Sequence, residues 1–147
     1  MLLVLDIGNT EITLGLVAVD PLAGRWRLTT NPDRPPDESG AALLAFLLQA
    51  GRSPNEVTGV CYASVAPGIT QALIRGVEAI VGQRAVAVDA RSALPVTLDV
   101  DEPLTVGADR IVNTLAAVDL FHADTVVVDF GTATTFDCIV ADGRFIG

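Results

Sequence analysis

The chain has 147 residues, half of them hydrophobic, a net charge of −9, and nine basic residues that are all arginine. That size and apolar content suit one ordinary domain, or one domain and the start of another, and argue against disorder. The acidic balance argues against wrapping nucleic acid. The lack of lysine excludes the GxxxxGK[ST] phosphate loop, whose lysine reaches the terminal phosphates.

The opening MLLVLD has no basic leader and meets Asp6 at once, so it reads as a first strand rather than a signal peptide. No apolar run approaches the roughly 18 residues needed to cross a bilayer. Strands are expected at 2–6, 11–19 and 25–30, rich in Val, Leu, Ile and Thr. Trp26 between Arg25 and Arg27 reads as alternation around one packed aromatic. A first helix follows PDRPPDESG, where Asp37 or Ser39 can cap, with Leu43, Leu44, Leu47 and Leu48 on one face and Gly51 at its end. A strand at 57–63 leads to a second helix opening at Pro67, with Ile69, Leu73, Val77 and Ile80 at helical spacing before Gly82. After a strand at 85–88, a third helix begins near Gly107 and carries Ile111, Leu115 and Val118 inward. Strands at 125–129 and 134–141 come last, with Asp142–Gly143 as a hairpin turn. Early antiparallel strands followed by alternating helix and strand indicate an α/β domain with a mixed sheet. Cys61 and Cys138 lie in apolar stretches and read as buried free thiols of a cytoplasmic protein. His122, at a helix end, has no partner pattern.

One short repeat stands out. Aligning Asp6 on Asp129 superposes VLDIGNTEITLGLV on VVDFGTATTFDCIV: an apolar strand, Asp, one apolar residue, Gly, a Thr-bearing turn and a second apolar strand. Turns favour Asp and Gly in their own right, and either copy alone is a weak pattern. The repetition, with both carboxylates ending hydrophobic strands, suggests two matched α/β halves around a ligand cleft. Gly8 and Gly131 let backbone approach a ligand closely. Amides of such turns can hold phosphate oxygens, and Thr10, Thr13, Thr132 and Thr134 add hydroxyls. Asp6 and Asp129 repel phosphate but can hold a cation that bridges to it.

A third segment, VGADRIVN, puts Asp109 and Arg110 in the first turn of the third helix. Asp109 complements the macrodipole there and, taken alone, reads first as a capping or first-turn carboxylate; if it faces a cleft, it can accept a substrate hydroxyl proton. Arg110 opposes the dipole, and its guanidinium suits an anionic group on a small substrate. Asp137 faces outward or towards the cleft, an alternative that the sequence leaves open.

DIGNTEIT, GADRIVN and DFGTATTFD, in that order and at these separations, resemble the type III pantothenate kinases, and YASVAPGI is similar to the S-V-x-P stretch of that family. The resemblance implies a ribonuclease H-like mixed sheet with flanking helices, in the actin-like and sugar-kinase superfamily. Residues 1–122 would be the first domain, and 123–147 the opening hairpin of a duplicated, truncated second. It implies ATP-dependent phosphorylation of pantothenate, the first step towards coenzyme A. Asp6, Ile7, Gly8, Asn9, Thr10, Glu11, Ile12 and Thr13 would form the first phosphate-binding segment, with Asp6 near Mg²⁺ and Thr132 contacting ATP. Asp129 would bind a monovalent cation, K⁺ or NH₄⁺. Gly107, Ala108, Asp109 and Arg110 would hold pantothenate, with Val100 beside it and Asp109 as proton acceptor. A cytoplasmic homodimer with no nucleic-acid or membrane partner is implied, and a non-catalytic nucleotide-binding transcription regulator is the alternative in the same family. Glu11 stands where the family usually has a neutral or basic residue, and Val100 where a tyrosine is common.

Overall fold

The computed structural model describes residues 1–18 and 22–147, so the end of the second expected strand, at 19, lies outside the described residues. Two compact units result, Met1–Ala87 and Val88–Gly147.

In the first unit β1 (Leu2–Ile7), β2 (Glu11–Val17) and β3 (Leu22–Thr29) form an antiparallel meander. Helix α1 (Pro36–Gln49) leads to β4 (Gly59–Ser64), parallel to β1; α2 (Pro67–Val81) then leads to β5 (Ala85–Ala87), parallel to β4. The sheet order is β3-β2-β1-β4-β5, the mixed sheet that the sequence pattern calls for. Strand alternation sends Leu3, Leu5, Ile7, Ile12, Leu14 and Leu16 to one face, where they are buried against Leu43, Leu47, Ile69, Leu73 and Val77 of the helices. Each such side chain contributes about 1.5–3 kcal/mol when fully buried. The intervening Leu2, Val4, Asp6 and Thr13 lie on the opposite face, exposed or half-buried. Parity therefore turns Asp6 away from the core. Trp26 stacks on Phe46 of α1, with ring centroids 5.4 Å apart.

Helix α2 matches its pattern, starting at Pro67 and ending at a left-handed Gly82. Helix α1 departs from the expectation in two respects. Its N-cap is Pro35, followed by Pro36 in the first turn, so neither Asp37 nor Ser39 caps it, and Ser39 is buried. Its inner face is Leu43 and Leu47 with Ser39 and Gly40, and Leu48 is exposed. The reason is the crossing with α2. A Cβ at Gly40 would lie 3.0 Å from the Gly76 carbonyl oxygen, and one at Gly76 would overlap the Pro36 carbonyl oxygen. That backbone-to-backbone approach, not the densest leucine stripe, sets the rotation of α1.

The second unit has β6 (Thr97–Leu98), α3 (Ala108–Phe121), β7 (Thr125–Phe130), β8 (Thr134–Ile139) and β9 (Arg144–Phe145), with sheet order β6-β9-β8-β7. Its small core is Ala117, Ile139 and Phe145, walled by Leu98, Val100, Val106, Val118 and Val127. The β8–β9 connection turns at Asp142–Gly143, with Gly143 at φ +91°. Buried positions on α3 are Ala108, Ile111, Thr114 and Ala117, while Leu115 and Val118 are half-buried, so the inward stripe is rotated from the one expected. The contacts divide the chain at 87/88 and group α3 with the β7–β8 hairpin; the resemblance implies a boundary between repeats at 122/123.

Candidate functional site

Both copies of the repeat fold as β-hairpins. Asp6 pairs with Thr13 across β1 and β2, and Asp129 pairs with Thr135 across β7 and β8. The last pair before the bend is Ile7 with Ile12 in the first hairpin and Phe130 with Thr134 in the second, so the second bend is one residue shorter. Structural equivalence therefore slips by one after the turn, and the ungapped sequence alignment holds only up to it.

In the first hairpin the Gly8 amide donates to the Glu11 carbonyl at 3.0 Å. Thr30, just beyond β3, clamps the bend: its hydroxyl donates to the Gly8 carbonyl at 2.7 Å and its amide to the Thr10 carbonyl at 2.9 Å. The Gly8 amide thus closes the bend instead of being offered to a ligand. A Cβ on Gly8 would stand 2.9 Å from the Glu11 carbonyl oxygen, which is why glycine is needed there. Ile7 and Ile12 are wholly buried and act as the anchors of the bend, not as its contact surface. Asn9, Thr10 and Glu11 are exposed. Glu11 pairs with Arg27 at 3.4 Å, which offsets its charge beside the bend, although both side chains are solvated and the pair is worth little in stability.

In the second hairpin the Gly131 amide donates to the Ala133 carbonyl at 3.1 Å. A Cβ on Gly131 would meet nothing closer than 3.6 Å, so the chain itself does not require glycine. What its absence leaves is open space beside the Asp129 carboxylate, whose Oδ1 would be 3.8 Å from that Cβ. Asp129 and Thr132 are exposed. Among the described residues no three His, Cys, Asp or Glu side chains cluster as a metal site. A hard cation held by one carboxylate plus phosphate and water oxygens needs no such cluster.

Gly107 is the N-cap of α3, with Ala108 buried behind it. Asp109 is half-buried, and its Oδ1 accepts the Arg110 amide at 2.8 Å. Sequence reading missed the partner of Arg110. Asp137, on β8, is wholly buried, and its Oδ1 accepts Arg110 Nε at 2.5 Å. Arg110 Nη2 donates to the Phe136 carbonyl at 3.2 Å, and the guanidinium carbon lies 4.9 Å over the Phe145 ring. Two signals pointed there: Asp137 shares inward parity with Ile139, and Arg110 lacked compensation against the helix dipole. Val100 is a wall of the small core of the second unit. Cys61 and Cys138 are free and half-buried, and burial pushes the Cys61 thiol pKa up, so it stays protonated.

A family model described as type III pantothenate kinase matches residues 2–147. A type III pantothenate kinase from Thermomicrobium roseum is 43% identical over 147 residues, covering all of this chain and 57% of that protein. Another, from Moorella thermoacetica, is 37% identical over 147 residues, covering all of this chain and 58% of its own length. The chain thus spans less than two thirds of the curated relatives it matches. Among solved structures, a ROK hexokinase from Thermus thermophilus superposes with a TM-score of 0.50 at 13% identity, over 98% of this chain and 47% of that one. That likeness establishes the fold alone: a mixed α/β sheet with flanking helices. Among the described residues no helix is long and apolar enough to cross a membrane.

Proposed function

The chain belongs to the type III pantothenate kinase family, and on that premise we propose that the whole protein transfers the γ-phosphoryl group of ATP to the primary hydroxyl of pantothenate. The hydroxyl oxygen attacks phosphorus, the bond from phosphorus to the β,γ-bridging oxygen breaks, ADP leaves, and the hydroxyl proton passes to Asp109. Catalysis of this kind rests on positioning and charge stabilisation more than on covalent chemistry. The observation that carries the reading is the duplicated hairpin, with a carboxylate opposite a threonine just before each bend.

In this reading Asp6 anchors Mg²⁺ and the exposed Asn9–Glu11 tip meets the phosphates. Thr132 contacts ATP, and Asp129 holds K⁺ or NH₄⁺ beside the space left by Gly131. The metals supply charge neutralisation at the phosphates, and the proton step belongs to Asp109. Gly107 to Arg110 hold pantothenate. Val100 acts from behind, through the core, rather than as a lining side chain. The protein works as a cytoplasmic homodimer, with 1–122 and 123–147 belonging to successive ribonuclease H-like repeats. No observation favours the transcription-regulator alternative.

The test is the purified full-length protein with ATP, Mg²⁺, K⁺ and pantothenate, followed by detection of phosphopantothenate. Asp109→Asn is expected to lower turnover by about 10²- to 10⁴-fold while ATP binding persists. Absence of phosphorylated product with the wild type, or undiminished turnover with the variant, would overturn the reading or the role of Asp109 respectively.

A further inference from the structure

We infer that Asp137 is a positioning residue for the acceptor: it fixes Arg110 so that the outer edge of the guanidinium receives the acceptor's carboxylate. The assignment rests on the kinase reading above. Arg110 stands in the first turn of α3, where a cation faces the positive end of the helix. Three contacts hold it there. Nε donates to Asp137, Nη2 donates to the Phe136 carbonyl, and the guanidinium plane rests over Phe145, itself buried.

Those contacts use one side of the fork. Nε and one hydrogen of Nη2 point into the unit, and among the described residues Nη1 makes no hydrogen bond. The Arg110 side chain retains 32% of its exposure, and among the described residues its end edge, Nη1 with the second Nη2 hydrogen, carries no hydrogen bond. That edge presents two parallel N–H donors, the geometry that matches a carboxylate bidentately.

Stability does not account for the arrangement. A buried ion pair is commonly replaceable by apolar side chains at little or no cost. Asp137 also leaves its Oδ2 buried without a hydrogen-bond partner among the described residues. The internal repeat provides a comparison. Val4 pairs with Gly15 in the first hairpin and Val127 with Asp137 in the second, so Asp137 occupies the place of a glycine. The duplicate hairpin thus carries a buried carboxylate at the point where α3 packs on it, and among the described residues its one partner is the arginine next to Asp109. Fixing that arginine beforehand removes the ordering cost from substrate binding.

The experiment uses the full-length protein with two acceptors, pantothenate and the corresponding alcohol in which CH₂OH replaces the carboxylate. For Asp137→Asn the KM for pantothenate is expected to rise about 10-fold, the loss of one well-placed charge-assisted contact. KM for ATP and KM for the alcohol should stay within about twofold, because neither uses the Arg110 edge. An unchanged KM for pantothenate, or a parallel rise for both acceptors, overturns the assignment. A wild type that phosphorylates neither acceptor overturns the kinase reading and this assignment with it, so the two failures are distinguishable. Should Asp137→Asn not fold, Arg110→Lys keeps a charge beside Asp137 but lacks the second donor edge. Loss of the preference for the carboxylate acceptor supports the assignment, and a retained preference overturns it.

Discussion

Replacing Gly76 with alanine tests the packing of the first unit at its narrowest point. A Cβ there would overlap the Pro36 carbonyl oxygen and lie 3.0 Å from the Pro36 carbonyl carbon and 3.1 Å from the Gly40 nitrogen. All three are backbone atoms, so no side chain can rotate aside. Carbon atoms in ordinary contact sit about 3.5–4.0 Å apart, and the helices must part by on the order of 1 Å to admit the methyl group. Overpacking of that kind costs about 1–3 kcal/mol, with more in a rigid setting. Alanine gives back about 1 kcal/mol of helix propensity, so the upper part of the range is needed for a clear loss. The absence of any yielding atom points there, and we expect a net destabilisation of about 2 kcal/mol. Trp26 is the only tryptophan and stacks on Phe46 of α1, so its fluorescence in a urea titration reports on this crossing. Gly68→Ala in the same helix is the control, since a Cβ there meets nothing within 4 Å. Equal midpoints for Gly76→Ala and wild type would refute the argument that the glycine pair sets the helix spacing.

Arg110→Ala leaves the Asp137 carboxylate buried and unpaired, and is expected to destabilise the chain by about 3–5 kcal/mol, whereas the double variant with Asp137→Ala should recover most of that loss in a denaturant double-mutant cycle. On the outer face of the β7–β8 hairpin, Val126, Val128, Phe130 and Phe136 are exposed, so Phe136→Lys should reduce self-association and hydrophobic-dye binding of a chain with these 147 residues, as read by sedimentation and dye fluorescence. The Arg144 hydrogen bond holds the Asp142 carboxyl below its ordinary range. A depressed folded pKa means that this contact stabilises the fold above the unfolded pKa and is lost as pH falls through the folded value. NMR titration of the Asp142 carboxyl should show the low value and its return to the ordinary range in Arg144→Ala.

Where local rules and packing demanded the same thing, the sequence was readable. Runs of Val, Leu, Ile and Thr located β1, β2, β7 and β8, and the structure adds that Asp6 turns outward because the opposite parity carries Leu3, Leu5 and Ile7. Proline and glycine marked both ends of α2. Misreadings arose where a distant partner decided. The rotation of α1 is set by Gly40 against Gly76, and nothing within the helix distinguishes Leu47 from Leu48. The two-residue strands β6 and β9 are too short to show any period. Asp137 was ambiguous because a carboxylate at an inward position is tolerable only with a partner, here 27 residues away in the chain. The bend glycines were identified correctly, but neither adopts a positive φ, and their reasons differ: a close carbonyl at Gly8 and vacant space at Gly131.

The two hairpins share a motif but are packed on opposite faces. In the first, α1 and α2 cover the face of Leu3, Leu5 and Ile7, and Leu2, Val4 and Asp6 lie on the other face. In the second, α3 packs over the face of Val127 and Asp137, which is also the face of Asp129. Matching Asp6 to Asp129 matches Leu3, Leu5 and Ile7 to Val126, Val128 and Phe130, and these equivalents of the first core are exposed, Phe130 at 82%. A sheet face of that composition calls for a covering layer, and in the first copy two helices supply it. The repeat therefore encodes a hairpin with one apolar and one acid-bearing face, and the two copies differ in which face is packed. Helix α3 meets the acidic face of the second copy, and that is what brings Arg110 onto Asp137, beside Asp109.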